Sequence, residues 1–172
     1  SPKEISFIRE SLEKGIRLDL RGLLEERIPK VEPIYNSQGD GCLLITKGHT
    51  KVKVDIQFME SSEGLIELKL IDQKVVGDSL CVDKIPLSLK KLLENWLSFY
   101  KIGLRIDLEI VNDDGNVYEA FIYGLREILK EIEVPDILNL EKVIKTGIEL
   151  PKMKVMGFYK KVKIVDPLLL EQ

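Results

Sequence analysis

The sequence predicts an α+β unit: a mixed sheet with helices packed on one of its faces. Three observations predict it. Apolar residues recur at helical spacing in three separate stretches. Between them the apolar residues alternate with period two, as strands require. Gly-, Asp- and Asn-rich turn signals punctuate the changes of period. The length, 172 residues, suits one domain spanning 1–172.

The first helix carries its own punctuation. Ser1 can cap, Pro2 fits the first helical position, and Glu4 stands where a capping box needs it. Ile5, Ile8, Leu12 and Ile16 form one apolar face, and Gly15 is the terminator, so a helix is expected over about 5–15. The charge-dense segment 17–27 then reads as a turn leading into strands. Ile28 to Tyr35, interrupted by Pro29 and Pro33, is a short edge strand. Gly39-Asp40-Gly41 turns. Cys42 to Thr46 is a second strand, and Lys47-Gly48-His49 turns again. In Lys51 to Phe58, Val52, Val54, Ile56 and Phe58 point one way and the polar residues the other. Ile66, Leu68 and Leu70 make the next strand, and the run reads as an antiparallel meander.

The period then changes. Pro86 would open a helix over 87–100 whose face is Leu89, Leu92, Leu93, Trp96, Leu97 and Tyr100. Arg105 to Val111 is a strand, so residues 66–111 make a strand–helix–strand crossover. The turn Asn112-Asp113-Asp114-Gly115-Asn116 precedes a third helix, over 117–130. Its face is Val117, Ala120, Phe121, Gly124, Leu125 and Ile128, and Pro135 ends it. Lys154 to Tyr159 and Lys161 to Val165 are two short strands.

Composition excludes several classes of function. With 44% hydrophobic and 32% charged residues the chain is neither disordered nor membrane-spanning, and no apolar run reaches the ~18 residues of a spanning helix. The first residues, charged from Lys3, lack a signal peptide's apolar stretch, so an intracellular protein is expected. Twenty-six Lys and Arg against 29 Asp and Glu give a net charge of −3, which argues against an autonomous nucleic-acid binder but leaves room for a local basic patch. The two cysteines, Cys42 and Cys81, form no CxxC pair and read as reduced core thiols. His49 is the single histidine, too few for a His-rich metal site. No phosphate loop, GxSxG, HExxH or GxGxxG is present. Asp113-Asp114-Gly115 lacks the Glu that a calcium loop needs at its twelfth position, where Leu125 stands, and is a turn or helix cap instead. No metal or other cofactor is expected.

Two charged clusters have two readings each. Arg17, Asp19 and Arg21, with Glu26 and Arg27, are either a solvated run or a set of Arg forks for a phosphate or a partner carboxylate. Lys47, His49, Lys51 and Lys53 read as a solvated outer face, with a phosphate contact as the alternative.

The ordered motifs resemble one family. Gly15-Ile16-Arg17-Leu18-Asp19-Leu20-Arg21, then Glu26-Arg27, then Gly41 to Val52 are similar to the opening of the RNase PH family. That opening reads Gly-x-Arg-x-Asp-Gly-Arg, an acidic-x-Arg pair, and a strand ending Gly-x-Thr-x-Val. Asp114-Gly115-Asn116 with Glu119-Ala120 resembles the family's Asp-Gly-Asn/Ser segment, and Ile164 to Pro167 its Val-Asp-Pro. The resemblance implies an RNase PH-like (ribosomal S5 domain-2-like) fold, shortened at its C-terminus.

Departures shape the expected function. Leu20 replaces the family's motif Gly, and Phe58-Met59-Glu60 stands where active members carry Gly-Pro-Arg. The phosphate-binding Gly-Ser/Thr-Arg segment has no counterpart, and the catalytic Asp would lie beyond the Val-Asp-Pro. Phosphorolysis needs a bound phosphate and charge stabilisation at the scissile bond. The resemblance therefore implies a non-catalytic ring subunit of the RNA exosome, without catalytic residues. Its expected partners are other RNase PH-like ring subunits and threaded RNA, with no membrane. Its implied role is support of 3′→5′ RNA processing and degradation, rRNA included, in nucleus, nucleolus and cytoplasm. The alternative is an active phosphorolytic 3′→5′ exoribonuclease of the family; a third class is a stand-alone adaptor. Lys84, Lys90 and Lys91, on the crossover helix where active members are Arg-rich, are the RNA-contact candidates. Arg17, Asp19, Arg21 and the leucine triplet Leu168, Leu169 and Leu170 are the interface candidates.

Overall fold

The computed structural model describes residues 1–35, 37–72, 87–135, 139, 141–145 and 147–171, with the backbone alone for 87–89 and 135. Helix α1, Pro2–Glu13, starts as its sequence predicts. Ser1 Oγ accepts from the Glu4 N–H at 3.3 Å while the Glu4 carboxylate takes the Ser1 amine, a capping box. The helix stops earlier than the apolar spacing predicts. Gly15 and Ile16 donate to the carbonyls of Leu12 and Ser11 at 3.0 and 2.9 Å, a Schellman closure that leaves Ile16 outside the helix. Ile8 and Leu12 are buried, whereas Ile5 and Ile16 are exposed.

The main sheet has five strands: β1 (Lys30–Pro33), β2 (Gly41–Lys47), β3 (Thr50–Glu60), β4 (Ile66–Asp72) and β5 (Ile102–Asn112), in the order β1-β2-β3-β5-β4. β1 lies at the edge, where the donor that Pro33 lacks is not needed. The Gly48-His49 turn joins β2 to β3 with Lys47 opposite Thr50. β4 departs from the expected meander. It lies beyond β5 and runs parallel to it, and parallel neighbours need the crossover that helix α2 (Leu87–Tyr100) supplies.

Helices α2 and α3 (Val117–Glu131) cover one face of this sheet. Val52, Val54, Ile56, Leu104 and Ile106 are sealed beneath them together with Leu93 and Leu97. Trp96 is half-buried, packed on the core with its ring 4.6 Å from that of Tyr100. Leu92 sits off the stripe and is exposed; the side chain of Leu89 lies outside the described residues. All six predicted face residues of α3 are buried. Gly124 is there because a Cβ would stand 2.3 Å from Ile45 Cδ1 and 2.9 Å from Val54 Cγ2, so its absence lets α3 settle onto β2 and β3.

Helix α3 ends at Glu131, before Pro135. Ile132 turns extended, and β6 (Glu133–Pro135) pairs with β7 (Val143–Lys145). Three-residue strands show too little alternation to be read from sequence. β8 (Met156–Tyr159) and β9 (Val162–Val165) fall within the two short strands expected there and pair antiparallel as a hairpin. Helix α1 packs apart from α2 and α3, with Ile8 and Leu12 joining Ile164 of β9 in a second cluster. Among the described residues no helix is long and apolar enough to cross a membrane.

Candidate functional site

Where β9 ends, Asp166 adopts φ 52° and turns its carboxylate into the protein, fully buried. Three other parts of the chain converge on it. The segment after α1 brings Arg21 and Arg27. The end of β2 brings Lys47, and the β5–α3 turn brings Asn116. Arg27 is the principal partner: its backbone N–H, Nε and one terminal nitrogen donate to the two oxygens of Asp166 at 2.8, 2.9 and 2.8 Å. Arg21 donates to Oδ2 at 2.9 Å, and Asn116 Nδ2 to Oδ1 at 2.7 Å. Lys47 Nζ lies 3.4 Å from Oδ1.

A second carboxylate extends the network. Glu119, in the first turn of α3, accepts from Lys47, from Asn116 Nδ2 at 2.7 Å and from the Val155 N–H at 3.0 Å. Thr50 Oγ1 donates to the Gly115 carbonyl at 2.8 Å, which Arg27 also holds at 3.0 Å. Arg17, 1% exposed, binds Glu171 through two parallel bonds of 3.2 and 2.6 Å. It also donates to the carbonyls of Val165 and Asp166, both at 2.8 Å. Such bidentate pairs are both strong and orientation-specific.

Electrostatics decide what this hub can do. Burial acts most strongly on Asp166 and alone would raise its pKa. Hydrogen bonds from Arg27 and Asn116, with the charge of Lys47, outweigh burial and hold the carboxyl well below the usual range. A carboxylate so stabilised is a poor general base, because its proton affinity is spent on fixed donors. At Asp19, too, burial would raise the pKa, but the bond from Arg21 lowers it. Among the described residues no group of three or more His, Cys, Asp or Glu is placed to hold a metal ion.

No family model matches the chain, and no curated protein matches it. Solved structures do. A chain of an archaeal exosome core is similar over 99% of this chain and 75% of its own length, with a TM-score of 0.68 and 19% identity. A chain of an Archaeoglobus fulgidus exosome with RNA bound to the active site covers 99% of this chain and 78% of itself, at TM-score 0.66 and 18% identity.

The fold is RNase PH-like.

Rice (Oryza sativa) Rrp46 gives a further likeness, over 90% of this chain and 73% of its own, at TM-score 0.59 and 17% identity. In this RNase PH-like fold the family-like motifs meet. Arg17, Arg21, Arg27 and Asn116 all bond Asp166, and Arg27 also reaches the carbonyls of Asp114 and Gly115. Spacing alone did not bring them together. Glu119 and Lys47 were also hidden from it: Lys47 belongs to the expected solvated strip, yet it is 3% exposed. The signal for Glu119 was its place among apolar neighbours on the buried side of α3.

The remaining candidates lie apart from the hub. Lys90, on α2, pairs loosely with Glu94 at 3.7 Å, and Lys91 is exposed. Lys84 and Cys81 lie outside the described residues. Of the interface candidates, Arg17 is buried and bonded inside the chain, so it is not a surface group. Asp19 and Arg21 pair with each other at 2.5 Å. Leu168 is buried, while Leu169 and Leu170 are exposed.

Proposed function

We propose that this chain is a non-catalytic structural ring subunit of an RNA exosome, supporting 3′→5′ processing and degradation of RNA that other subunits engage. The observation that carries the ring reading is the likeness to exosome-core chains over 99% of this chain. Support for the non-catalytic reading comes from the sequence departures and from the hub: Phe58-Met59-Glu60 stands where active members carry Gly-Pro-Arg, and the charged groups of the family-like motifs are tied to one another inside the chain. Other RNase PH-like subunits are the proposed neighbours. The exposed Leu169 and Leu170, with exposed Phe158 on β8, offer the apolar surface such contacts use. Nucleus, nucleolus and cytoplasm are the proposed locations.

Co-purification from the native source, with partners identified by mass, tests the ring. RNase PH-like partners in stoichiometric amounts are expected; a monodisperse chain without partners would support the adaptor class instead. Incubation of the purified chain with labelled single-stranded RNA, phosphate and Mg²⁺ tests catalysis. No nucleoside diphosphate is expected. Release abolished by a point change in this chain would establish the phosphorolytic alternative.

A further inference from the structure

Beside the hub, between α3 and the segment before β8, lies a cleft of about 160 Å³. Five basic side chains and two acidic ones line it. Three of the basic groups are already engaged: Arg27 with Asp166, Lys47 with Glu119 and Lys154 with Glu26. Those pairings also neutralise both acids of the lining. Two cations remain. Arg126, from the middle of α3, and Lys152 make no hydrogen bond or ion pair among the described residues.

Arg126 is the more telling of the two. Its Nε is out of reach of solvent and has no acceptor. A buried donor without a partner is costly and rare in folded proteins, and an arriving acceptor removes that cost. The guanidinium edge presents parallel N–H groups that match two oxygens of one anion. Lys152, an exposed residue lining the same cleft, adds a point charge. The uncompensated charge of the cleft is therefore two positive, which offsets the two negative charges of a free phosphate dianion and exceeds the single charge of a backbone phosphodiester. The volume is well below the roughly 300 Å³ at which pockets for drug-sized ligands begin, so it suits a group of the size of phosphate.

We propose that this cleft is a phosphate-binding site in which Arg126 and Lys152 hold a single phosphate group, either free or within an RNA backbone. The site does not depend on the ring reading, which is tested by partners rather than by anions.

The test follows the Arg126 Nε–H resonance of the ¹⁵N-labelled chain. Sodium phosphate is added in one arm, short single-stranded RNA in a second, and sodium chloride at matched ionic strength in a third. A saturable shift with phosphate and none with chloride is expected. Lys152→Ala should weaken it by about tenfold, the loss of one charge-assisted bond. Arg126→Lys, followed through the Tyr123 backbone amide, keeps the charge but loses the fork and should weaken binding similarly. Saturation by RNA in competition with phosphate assigns the backbone as the source, and saturation by phosphate alone assigns the free anion. A shift that tracks ionic strength in every arm, or an affinity unchanged in both variants, overturns the site.

Discussion

Asp166 accepts hydrogen bonds from Arg27, Arg21 and Asn116 while fully buried. Removing it leaves buried cations without their partner, which costs about 3–5 kcal/mol in comparable pairs. Asp166→Ala should lower the urea-unfolding free energy by that amount; a loss under about 1 kcal/mol, the value of an exposed pair, would place the hub in solvent. The same residue sets an acid dependence. Its folded-state pKa is depressed, so its stabilisation is complete above the ordinary Asp value of about 3.9 and is lost as pH falls toward the folded-state value. Unfolding free energy of the wild type should decline below about pH 4, and Asp166→Asn should decline less steeply. Cys42 behaves in the opposite sense. Burial, then the nearby Asp55 carboxylate, push its thiol up to about 11, so it stays protonated at neutral pH. In a Cys81→Ala background, a thiol-specific reagent at pH 8 should react with Cys42 only after denaturant is added. Reaction at the rate of a free thiol in the native protein would contradict the packing of β2.

At the scale of elements, the β5–α3 turn is a tight junction. Gly115 has φ +88°, and a Cβ there would stand 2.4 Å from the backbone nitrogen of Leu169. Gly115→Ala must therefore both strain the turn and push residues 167–169 away, so a loss of about 1–3 kcal/mol or more is expected by denaturation. The amides of Asp166 to Leu169 should shift most in a heteronuclear spectrum. What sequence could reveal divides at this junction. The faces of α2 and α3 and the alternation of β3 were legible because burial repeats with the period of the element. Lys47 was not. Its period-two position in β2 gives no sign of Glu119, 72 residues away, which makes burial affordable. The family-like motifs supplied the hub's members, including Arg17, Arg27 and Asp166, but not their mutual contact. Likewise β5 entered between β3 and β4 although local pattern predicted a meander, because strand order is set by the α2 crossover and not by alternation.

On the scale of the molecule, Lys90 and Lys91 stand on the outward side of α2, while the main core lies behind Leu93 and Leu97. The Lys90–Glu94 pair is partly exposed and worth little, so an RNA phosphate can displace it. If the proposed ring forms and passes RNA along this helix, Lys90→Ala with Lys91→Ala should lower the slope of log affinity against log salt by roughly 0.7 per lost phosphate contact. An unchanged slope would leave this chain a scaffold role alone. The hub bears on a different property, the order in which the chain becomes native. Arg17 and Glu171 are 154 residues apart, and Arg27 and Asp166 are 139 apart. Contacts of such sequence separation form slowly, because the intervening chain must be closed before they contribute. During synthesis the arginines of residues 17–27 leave the ribosome long before their acid does. They wait as free cations until Asp166 emerges, so nascent chains halted before residue 166 should expose residues 17–27 to protease, and extension until residues 166–171 have emerged should protect them.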